Sequence, residues 1–237
     1  MSRRFEELDF QPTRMGDVSL RRRRDPTSGD DVFEVLLGEE FLMSSLFTVA
    51  EVALARLGLE AVQGTDLDVV VGGLGLGWTA RAALEDARVR SLDVVEALAP
   101  VIAWHHRDLL PHAAELVQDP RARLVEGDFF ALTAGTGPLC PGGPDRVHAV
   151  LLDVDHSPRH VLDALHTPFY AVDGLRRLAA RLHPRGVFAL WSDDPPDDAF
   201  LLVLAEVFAT TQAHVVPFAN PYTGGSSSNT VYVATAA

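Results

Sequence analysis

The sequence predicts an α/β fold, a doubly wound sheet of seven mostly parallel strands with an antiparallel hairpin at its C-terminal edge. Three observations support this prediction. From residue 68 onward, short apolar runs alternate with segments of helical spacing, which is typical of a parallel sheet covered on both faces. A glycine-rich turn follows the first apolar run, and the last two runs are joined by a short polar loop.

The residues before this sheet predict a small β-hairpin. Two extended segments, 17–24 and 31–37, flank the turn-forming stretch DPTSGD. The next segment, 39–58, has apolar residues at helical spacing. We therefore expect a helix there, with Gly58 as its C-cap.

Each later element follows from its own apolar pattern. The seven strands are expected at 68–73, 91–98, 122–128, 148–155, 186–193, 212–218 and 229–236. The helices are expected at 77–87, 99–117, 167–182 and 196–209. Pro111 is expected to interrupt the second of these helices. The Gly/Pro-rich segment 133–146 predicts either a long surface connection or a mobile flap.

The composition argues against several classes of protein. The net charge of -13 argues against nonspecific nucleic-acid binding, and no apolar run has the length of a membrane span. The first residues carry no apolar signal core, and the single cysteine, Cys140, fits a cytoplasmic location. The basic run 21–24 is interpreted as the exposed end of a strand, with a local phosphate or RNA contact as the alternative. Because exposed strand edges can pair with another chain, a homodimer is a hypothesis.

The turn Gly73-Leu-Gly-Leu-Gly77 lies between the first strand of the sheet and the next helix. Glycine permits positive φ and a close approach of a ligand to the backbone. The free N–H groups at the start of the following helix can bind a polar ligand. The dinucleotide fingerprint needs its third glycine where Trp78 stands, and this weakens an NAD or FAD interpretation.

Acidic residues end the next three strands. Glu96 can accept hydrogen bonds from both hydroxyls of a ribose, and Gly127-Asp128 can receive the amino group of an adenine. Asp153 and Asp155 end the fourth strand. Because open α/β sheets bind ligands at the carboxyl ends of their strands, these features together predict an adenosine-type ligand laid across the sheet.

In these motifs, residues 17–235 resemble the class I S-adenosylmethionine-dependent transferases, which have a Rossmann-like fold. Among these enzymes, the chain is most similar to the spermidine synthase-like family. Gly73 to Gly77 resembles that family's GGGDG turn, and PYTGG, 221–225, resembles a late loop that lines its acceptor site. The resemblance implies a cofactor-binding set of Gly73, Gly75, Gly77, Glu96, Gly127 and Asp128. It also implies an N-terminal tail and β-hairpin over 1–40 and a nucleoside-binding catalytic domain over 41–237.

Several positions depart from that family. Leu76 stands where the turn's aspartate contacts the amino end of the donor. Met43 and Ser44 lie where a tyrosine and a histidine are expected. The family's D-x-x-D-P pattern is shortened to DVDHSP. The cofactor pocket therefore resembles the family more closely than the acceptor pocket does.

These features favour a transferase that moves an aminopropyl group from S-adenosylmethionine or its decarboxylated form to a small-molecule amine or other nucleophile. Asp153 is the candidate base, because an amine acceptor must lose a proton and because the family's aspartate receives that amine. Asp155 is either a second acceptor contact or a helix cap, and Tyr222 is a candidate to close the acceptor pocket. An S-adenosylmethionine-dependent methyltransferase is the first alternative, and a noncatalytic cofactor-binding protein is the second.

Other chemistries are less well supported by the sequence. Asp153, Asp155, His156 and His160 are close in sequence and could ligate a transition metal, but no closed ligand set is evident and no metal is expected. His105 and His106 are interpreted as ordinary helix residues. Cys140 has no evident catalytic partner, and the chain lacks a G-x-S-x-G nucleophile elbow.

Overall fold

The computed structural model describes residues 5–220 and 222–237, and these residues form two sheets. The first sheet has four antiparallel strands in chain order, and the second is a mixed sheet of seven strands. Pro221, the first residue of the predicted acceptor loop, lies outside the described residues, as do residues 1–4.

The small sheet contains the predicted hairpin and extends it by one strand on each side. Its strands are β1 (Phe5–Thr13), β2 (Gly16–Arg24), β3 (Asp31–Leu37) and β4 (Glu40–Ser44). The hairpin itself is confirmed as the β2–β3 pair. Its turn is stabilised by Asp25, whose side chain accepts hydrogen bonds from the N–H groups of Thr27 and Ser28, both at 2.9 Å. The division of the chain after residue 40 stays a prediction.

The prediction of a helix over 39–58 is wrong for the first ten of these residues. Residues 40–44 form β4, which pairs antiparallel with β3, and helix α1 runs from Val49 to Glu60. The edge of β3 offers backbone hydrogen bonds, which outweigh the weak helical spacing of so short a stretch. Gly58 lies inside α1, where the Cβ of any larger residue would come within 2.5 Å of Leu151 Cδ2.

The large sheet confirms the predicted seven strands and the antiparallel edge hairpin. The strands are β5 (Leu67–Gly72), β6 (Val89–Glu96), β7 (Ala122–Glu126), β8 (Val147–Leu152), β9 (Leu182–Ser192), β10 (Thr210–Asn220) and β11 (Gly225–Thr235). Their spatial order is β7-β6-β5-β8-β9-β11-β10. The first five in this order are parallel, and β11 is antiparallel to both β9 and β10.

The helices follow the predicted alternation, but the short helix Phe129–Ala134 was not predicted and one predicted helix is divided into two. They are α2 (Trp78–Leu84), α3 (Ala99–His106), α4 (Ala113–Gln118), α5 (Phe129–Ala134), α6 (Val172–Ala179) and α7 (Asp198–Ala205). The predicted break near Pro111 is confirmed between α3 and α4. The single helix expected over 167–182 is a 3₁₀ helix, Ala164–Tyr170, followed by α6. No helix among the described residues is both long and apolar enough to cross a bilayer.

The strand order reverses between β5 and β8. The chain moves from β5 outward through β6 and β7, and then returns to the other side of β5 for β8 and β9. Ligands of open α/β sheets bind at the carboxyl ends of strands beside such a reversal. Gly72 of β5 pairs with Leu152 of β8, so Gly73 and Asp153 leave the sheet side by side.

The basic run on β2 is paired with acidic side chains of the neighbouring strands and turn. The pairs are Arg21–Glu7, Arg22–Glu6, Arg23–Glu34 and Arg24–Asp31. Because each arginine faces a carboxylate on the same small sheet, the run has a structural explanation. This favours the strand-end interpretation over a phosphate or RNA contact.

Candidate active site

The turn between β5 and α2 is held in a shape that only glycine adopts easily. Gly73, Gly75 and Gly77 have φ angles of 93°, 47° and 85°. The N–H of Gly73 donates to Val95 O at 2.9 Å, and the N–H of Gly77 donates to Leu74 O at 2.7 Å. These bonds fix both ends of the turn at the carboxyl edge of the sheet.

Each of the three glycines is also in close contact with a neighbouring element. A Cβ on Gly73 would overlap the carbonyl oxygen of Asp153. A Cβ on Gly75 would lie 2.5 Å from Met43 Sδ, and one on Gly77 would lie 2.8 Å from His105 Cε1. The turn is therefore packed between β4, α3 and the end of β8.

We expect Gly73→Ala to destabilise the protein far more than Gly64→Ala. The two glycines have nearly the same φ, 93° and 94°, but a Cβ on Gly64 would meet no atom within 4 Å. The positive φ alone should cost about 1 kcal/mol, and the overlap with Asp153 should add about 2 kcal/mol or more. Urea unfolding of both variants measures the difference, and equal losses would show that the contact with Asp153 is unimportant.

Glu96 lies beneath the turn and stabilises it. Its Oε2 accepts the N–H of Leu74 at 2.9 Å and that of Gly75 at 3.4 Å, and its Oε1 accepts the N–H of Leu98 at 2.8 Å. The residue is only 9 % exposed. Burial raises the pKa of its carboxyl, and the backbone N–H groups oppose that rise. These N–H groups, together with that of Ala97, occupy the carboxylate with protein donors, so its evident role is to hold the turn.

His105 holds the turn from the other side. Its Nε2 lies 3.0 Å from Gly75 O, and because a carbonyl only accepts, Nε2 carries the proton. Nδ1 is then an acceptor, and it is buried without a hydrogen-bond partner among the described residues. Burial lowers the pKa of His105, so the neutral ring is favoured in the folded protein. The interpretation of His105 as an ordinary helix residue is therefore incomplete.

The lowered pKa of His105 predicts a loss of stability in acid. Above its ordinary pKa of 6.5 the ring is neutral in both the folded and the unfolded chain. As the pH falls through that value, the unfolded chain binds the proton first, so the free energy of unfolding decreases. We expect His105→Gln, whose amide can still donate to Gly75 O, to show a shallower acid loss in urea unfolding series. His106→Gln changes the exposed neighbouring histidine, whose charge lowers the pKa of His105 less than burial does, and this control should keep most of the acid loss of the unaltered protein.

A small cleft, part of it open to solvent, lies on the side of the turn that faces β4 and α1. Its lining residues are Met43, Glu51, Leu74, Gly75, Leu76, Gly77, Trp78 and Asp153. Two of these eight residues are acids and none is basic. The cleft is thus suited to a cationic ligand.

Asp153 and Glu51 share this cleft and perturb each other. Asp153 Oδ2 accepts a hydrogen bond from Thr79 Oγ1 at 2.6 Å. Burial raises the pKa of Asp153 to about 6, although the Thr79 hydroxyl opposes the rise. Burial and the charge of Asp153 raise the pKa of Glu51 to about 8. At neutral pH the pair therefore holds one proton and one negative charge.

The other strand-end residues lie outside the cleft. Asp128 is exposed and caps α5, where its Oδ1 accepts the N–H groups of Phe130 and Ala131 at 2.9 and 3.1 Å. Gly127 donates its N–H to Glu96 O at 2.9 Å, which joins the ends of β6 and β7. The adenine role of Gly127 and Asp128 stays a prediction.

Asp155 is directed away from the cleft into the protein. Its carboxylate is fully buried and accepts hydrogen bonds from Leu162 N, His166 Nδ1 and Tyr170 OH at 2.7 to 2.8 Å. These donors anchor the segment that follows β8. A contact between Asp155 and the acceptor stays a prediction that this geometry does not favour.

Tyr222 lies at the junction of the C-terminal hairpin and the small sheet. Its hydroxyl is hydrogen-bonded to Arg23, and its ring packs edge-on against Phe47 with the centroids 6.0 Å apart. It is 57 % exposed and does not line the cleft. Its role in closing an acceptor pocket stays a prediction.

The residues considered as metal ligands or as a nucleophile have other partners. His156 Nε2 lies 3.0 Å from Glu40 Oε1, and His160 Nδ1 lies 2.8 Å from Asp194 Oδ2. Across the described ranges, no group of three or more His, Cys, Asp and Glu side chains is placed to hold a metal ion. Burial raises the pKa of Cys140 to about 12, so its thiol is a poor nucleophile.

Sequence reasoning missed Glu51, Thr79 and Met43. Met43 Sδ accepts the N–H of Leu76 at 3.2 Å and forms one wall of the cleft. The signal for Glu51 was its position as an acid within the apolar helical run TVAEVALARLG. Its distance of about a hundred residues from Asp153 hid the pairing.

The chain matches known proteins in its fold but not in its sequence. No protein-family model matches the chain, and neither does any curated protein sequence. Solved structures do match. A spermidine synthase in complex with the transition-state analogue AdoDATO is 17 % identical, with a TM-score of 0.73 over 98 % of this chain and 74 % of that one. This chain has the spermidine synthase fold.

Two further structures agree with this assignment of the fold. A spermidine synthase from Thermotoga maritima is 16 % identical, with a TM-score of 0.72 over 98 % of this chain and 73 % of that one. A probable spermidine synthase from Corynebacterium glutamicum ATCC 13032 is 15 % identical, with a TM-score of 0.65 over 97 % and 79 %. The resemblance to the class I S-adenosylmethionine-dependent fold is thereby confirmed. The reaction must be argued from the site.

Proposed function

We propose that this protein is a spermidine synthase-like transferase that moves an aminopropyl group from decarboxylated S-adenosylmethionine to a small-molecule amine. The observation that carries the proposal is the cleft beside the glycine turn, which contains the carboxyls of Asp153 and Glu51 and no basic side chain. A sulfonium donor and a protonated amine are both cations. Their binding there is favoured by the same negative charge.

The carboxyl edge of the sheet offers a fitting place for the donor's nucleoside. The three glycines give the turn a backbone shape that other residues rarely adopt, and the turn lies at this edge of the sheet packed against Asp153, Met43 and His105. Glu96 lies beneath the turn at the end of β6, and Asp128 is exposed at the end of the neighbouring strand. In the proposal, these residues bind the nucleoside and the cleft receives the sulfonium.

The charge of the cleft favours the decarboxylated donor over intact S-adenosylmethionine. The intact molecule carries a carboxylate on the tail that extends from its sulfur. That carboxylate would lie among two acidic side chains with no basic residue lining the same cleft. Like charges in a protected site repel each other, so methyl transfer from the intact donor is the weaker alternative.

In the proposed reaction, Asp153 receives the proton of the acceptor amine. The free amine then attacks the carbon beside the sulfonium, a C–N bond forms, and the C–S bond breaks with its electrons on sulfur. Methylthioadenosine leaves as a neutral thioether. Thr79 donates a hydrogen bond to Asp153 Oδ2 and so orients the carboxylate to accept the proton of the amine. Correct placement of the acceptor supplies most of the remaining acceleration.

We expect Asp153→Asn to abolish most of the turnover while leaving nucleoside binding intact. The loss of a general base should cost about 10²- to 10⁴-fold in rate. The measurement is methylthioadenosine release from decarboxylated S-adenosylmethionine with a panel of diamines. Asp198→Asn, an exposed acid on α7, is the matched control and should retain full activity.

The same assay distinguishes the alternatives. Methyl transfer would give S-adenosylhomocysteine from intact S-adenosylmethionine and no product from the decarboxylated form. Calorimetric binding of either sulfonium without turnover on any amine would favour a noncatalytic cofactor-binding protein. Binding of NAD with neither sulfonium bound would contradict the proposal. The homodimer and the cytoplasmic location stay predictions.

Thr79→Val should move the acid limb of the pH–rate profile to higher pH. The Asp153 carboxyl must be ionised to accept a proton, and its pKa of about 6 sets where activity rises. Because the Thr79 hydroxyl lowers that pKa, its removal should raise it further. A profile of kcat/KM against pH for both proteins measures the shift, because kcat/KM reports the ionisation of the free enzyme. A limb that stays in place would show that Asp153 does not govern the rate.

A further inference from the structure

Glu51 reaches the cleft from a different part of the chain than the other site residues. It lies in the first turn of α1, on the wall formed by α1 and β4. Its backbone oxygen lies 3.4 Å from Thr79 Oγ1, the hydroxyl that also bonds Asp153. Thr79 therefore lies against both acids and links α1 to the end of β8.

Within the described residues, Glu51 forms no ion pair, and Asp153 is the charge that acts on it. The other walls of the cleft are the thioether of Met43, the indole of Trp78 and the turn itself. This sets Glu51 apart from Glu96 and Asp155, whose carboxylates are occupied by protein donors. A partly buried acid without such donors is costly to ionise.

We propose that Glu51, which lines the same cleft as Asp153 and has no ion-pair partner among the described residues, is a second cation-binding carboxyl of this site and binds a cationic ligand in its ionised form. This inference rests on the proposed function, because it takes the donor and the acceptor to be cations that occupy this cleft. The first positive charge is balanced by Asp153. A further positive charge is balanced when Glu51 releases its proton to solvent.

Proton release makes the affinity for cations depend on pH. In the free protein Glu51 is mostly protonated below its pKa of about 8 and Asp153 is mostly ionised above about 6. Between these values a ligand that requires ionised Glu51 gains up to about tenfold in affinity per pH unit. Above about pH 8 the gain ends, because the proton has already left. A neutral ligand in the same place should show no such trend.

Calorimetry with two nucleosides tests this directly. Decarboxylated S-adenosylmethionine carries a sulfonium and an ammonium, whereas methylthioadenosine has the same nucleoside and no charge on sulfur. Titrations near neutral pH in phosphate and in Tris buffer give the number of protons released, because the two buffers differ in ionisation enthalpy. We expect net release with the cation and none with methylthioadenosine.

Glu51→Gln supplies the decisive comparison, because glutamine mimics the protonated acid and cannot release a proton. We expect this variant to bind the cation without proton release and without the rise in affinity between about pH 6 and pH 8. Its affinity for methylthioadenosine should be unchanged, which also shows that it is folded. Glu60→Gln, at the exposed end of the same helix, should behave as the unaltered protein does.

The outcomes distinguish this inference from the proposed function. Equal proton release and equal pH dependence in Glu51→Gln would overturn the role of Glu51 while leaving transfer through Asp153 in place. Failure of the unaltered protein to bind either sulfonium at any pH would instead overturn the proposed function. A Glu51→Gln protein that binds neither nucleoside would contradict the inference, since the carboxyl would then serve folding of the turn and not cation binding.

Discussion

The close approach of Gly73 to the backbone of Asp153 is the constraint on which the site depends. Two parallel strands, β5 and β8, end side by side, and the turn after β5 crosses directly over the end of β8. A side chain at Gly73 would separate them. Because the turn lies close to the strand ends, it also forms hydrogen bonds with Glu96, Met43 and His105. The position of the Asp153 carboxylate thus follows from the absence of a Cβ.

The acidic residues around this turn differ in how many hydrogen bonds they accept from the protein, and this difference does not follow their order in the sequence. Glu96 and Asp155 each accept three hydrogen bonds from protein groups, so their negative charge is used to hold backbone segments in place. Asp153 accepts one from a side chain, and Glu51 none from the described side chains. An acid whose hydrogen-bonding capacity is unused inside the protein remains available for a ligand. This is why chemistry is assigned to Asp153 and Glu51.

The sequence predicts the large sheet well because its central strands are buried on both faces and are nearly continuous in apolar residues. It fails at 40–44, where pairing with β3 decides the structure and local spacing does not. It locates the acids at strand ends, but not the directions of their side chains. Asp153 and Asp155 are two residues apart in irregular backbone, and one faces the cleft while the other is buried behind it. The proximity of Glu51 to Asp153 is visible only in the tertiary structure, because the two residues are far apart in the sequence.

The departure at position 76 is explained by the same geometry. The resemblance places an aspartate there, whereas Leu76 is 5 % exposed and its N–H is bonded to the thioether of Met43. A carboxylate at that position would be buried beside an apolar sulfur, and its ionisation would be costly. The cation of a donor requires nearby negative charge, and Coulomb attraction does not specify which residue provides it. Glu51 enters the same cleft from α1, so in the proposed complex the charge missing from the turn is supplied by Glu51 on the opposite wall once a cation is bound.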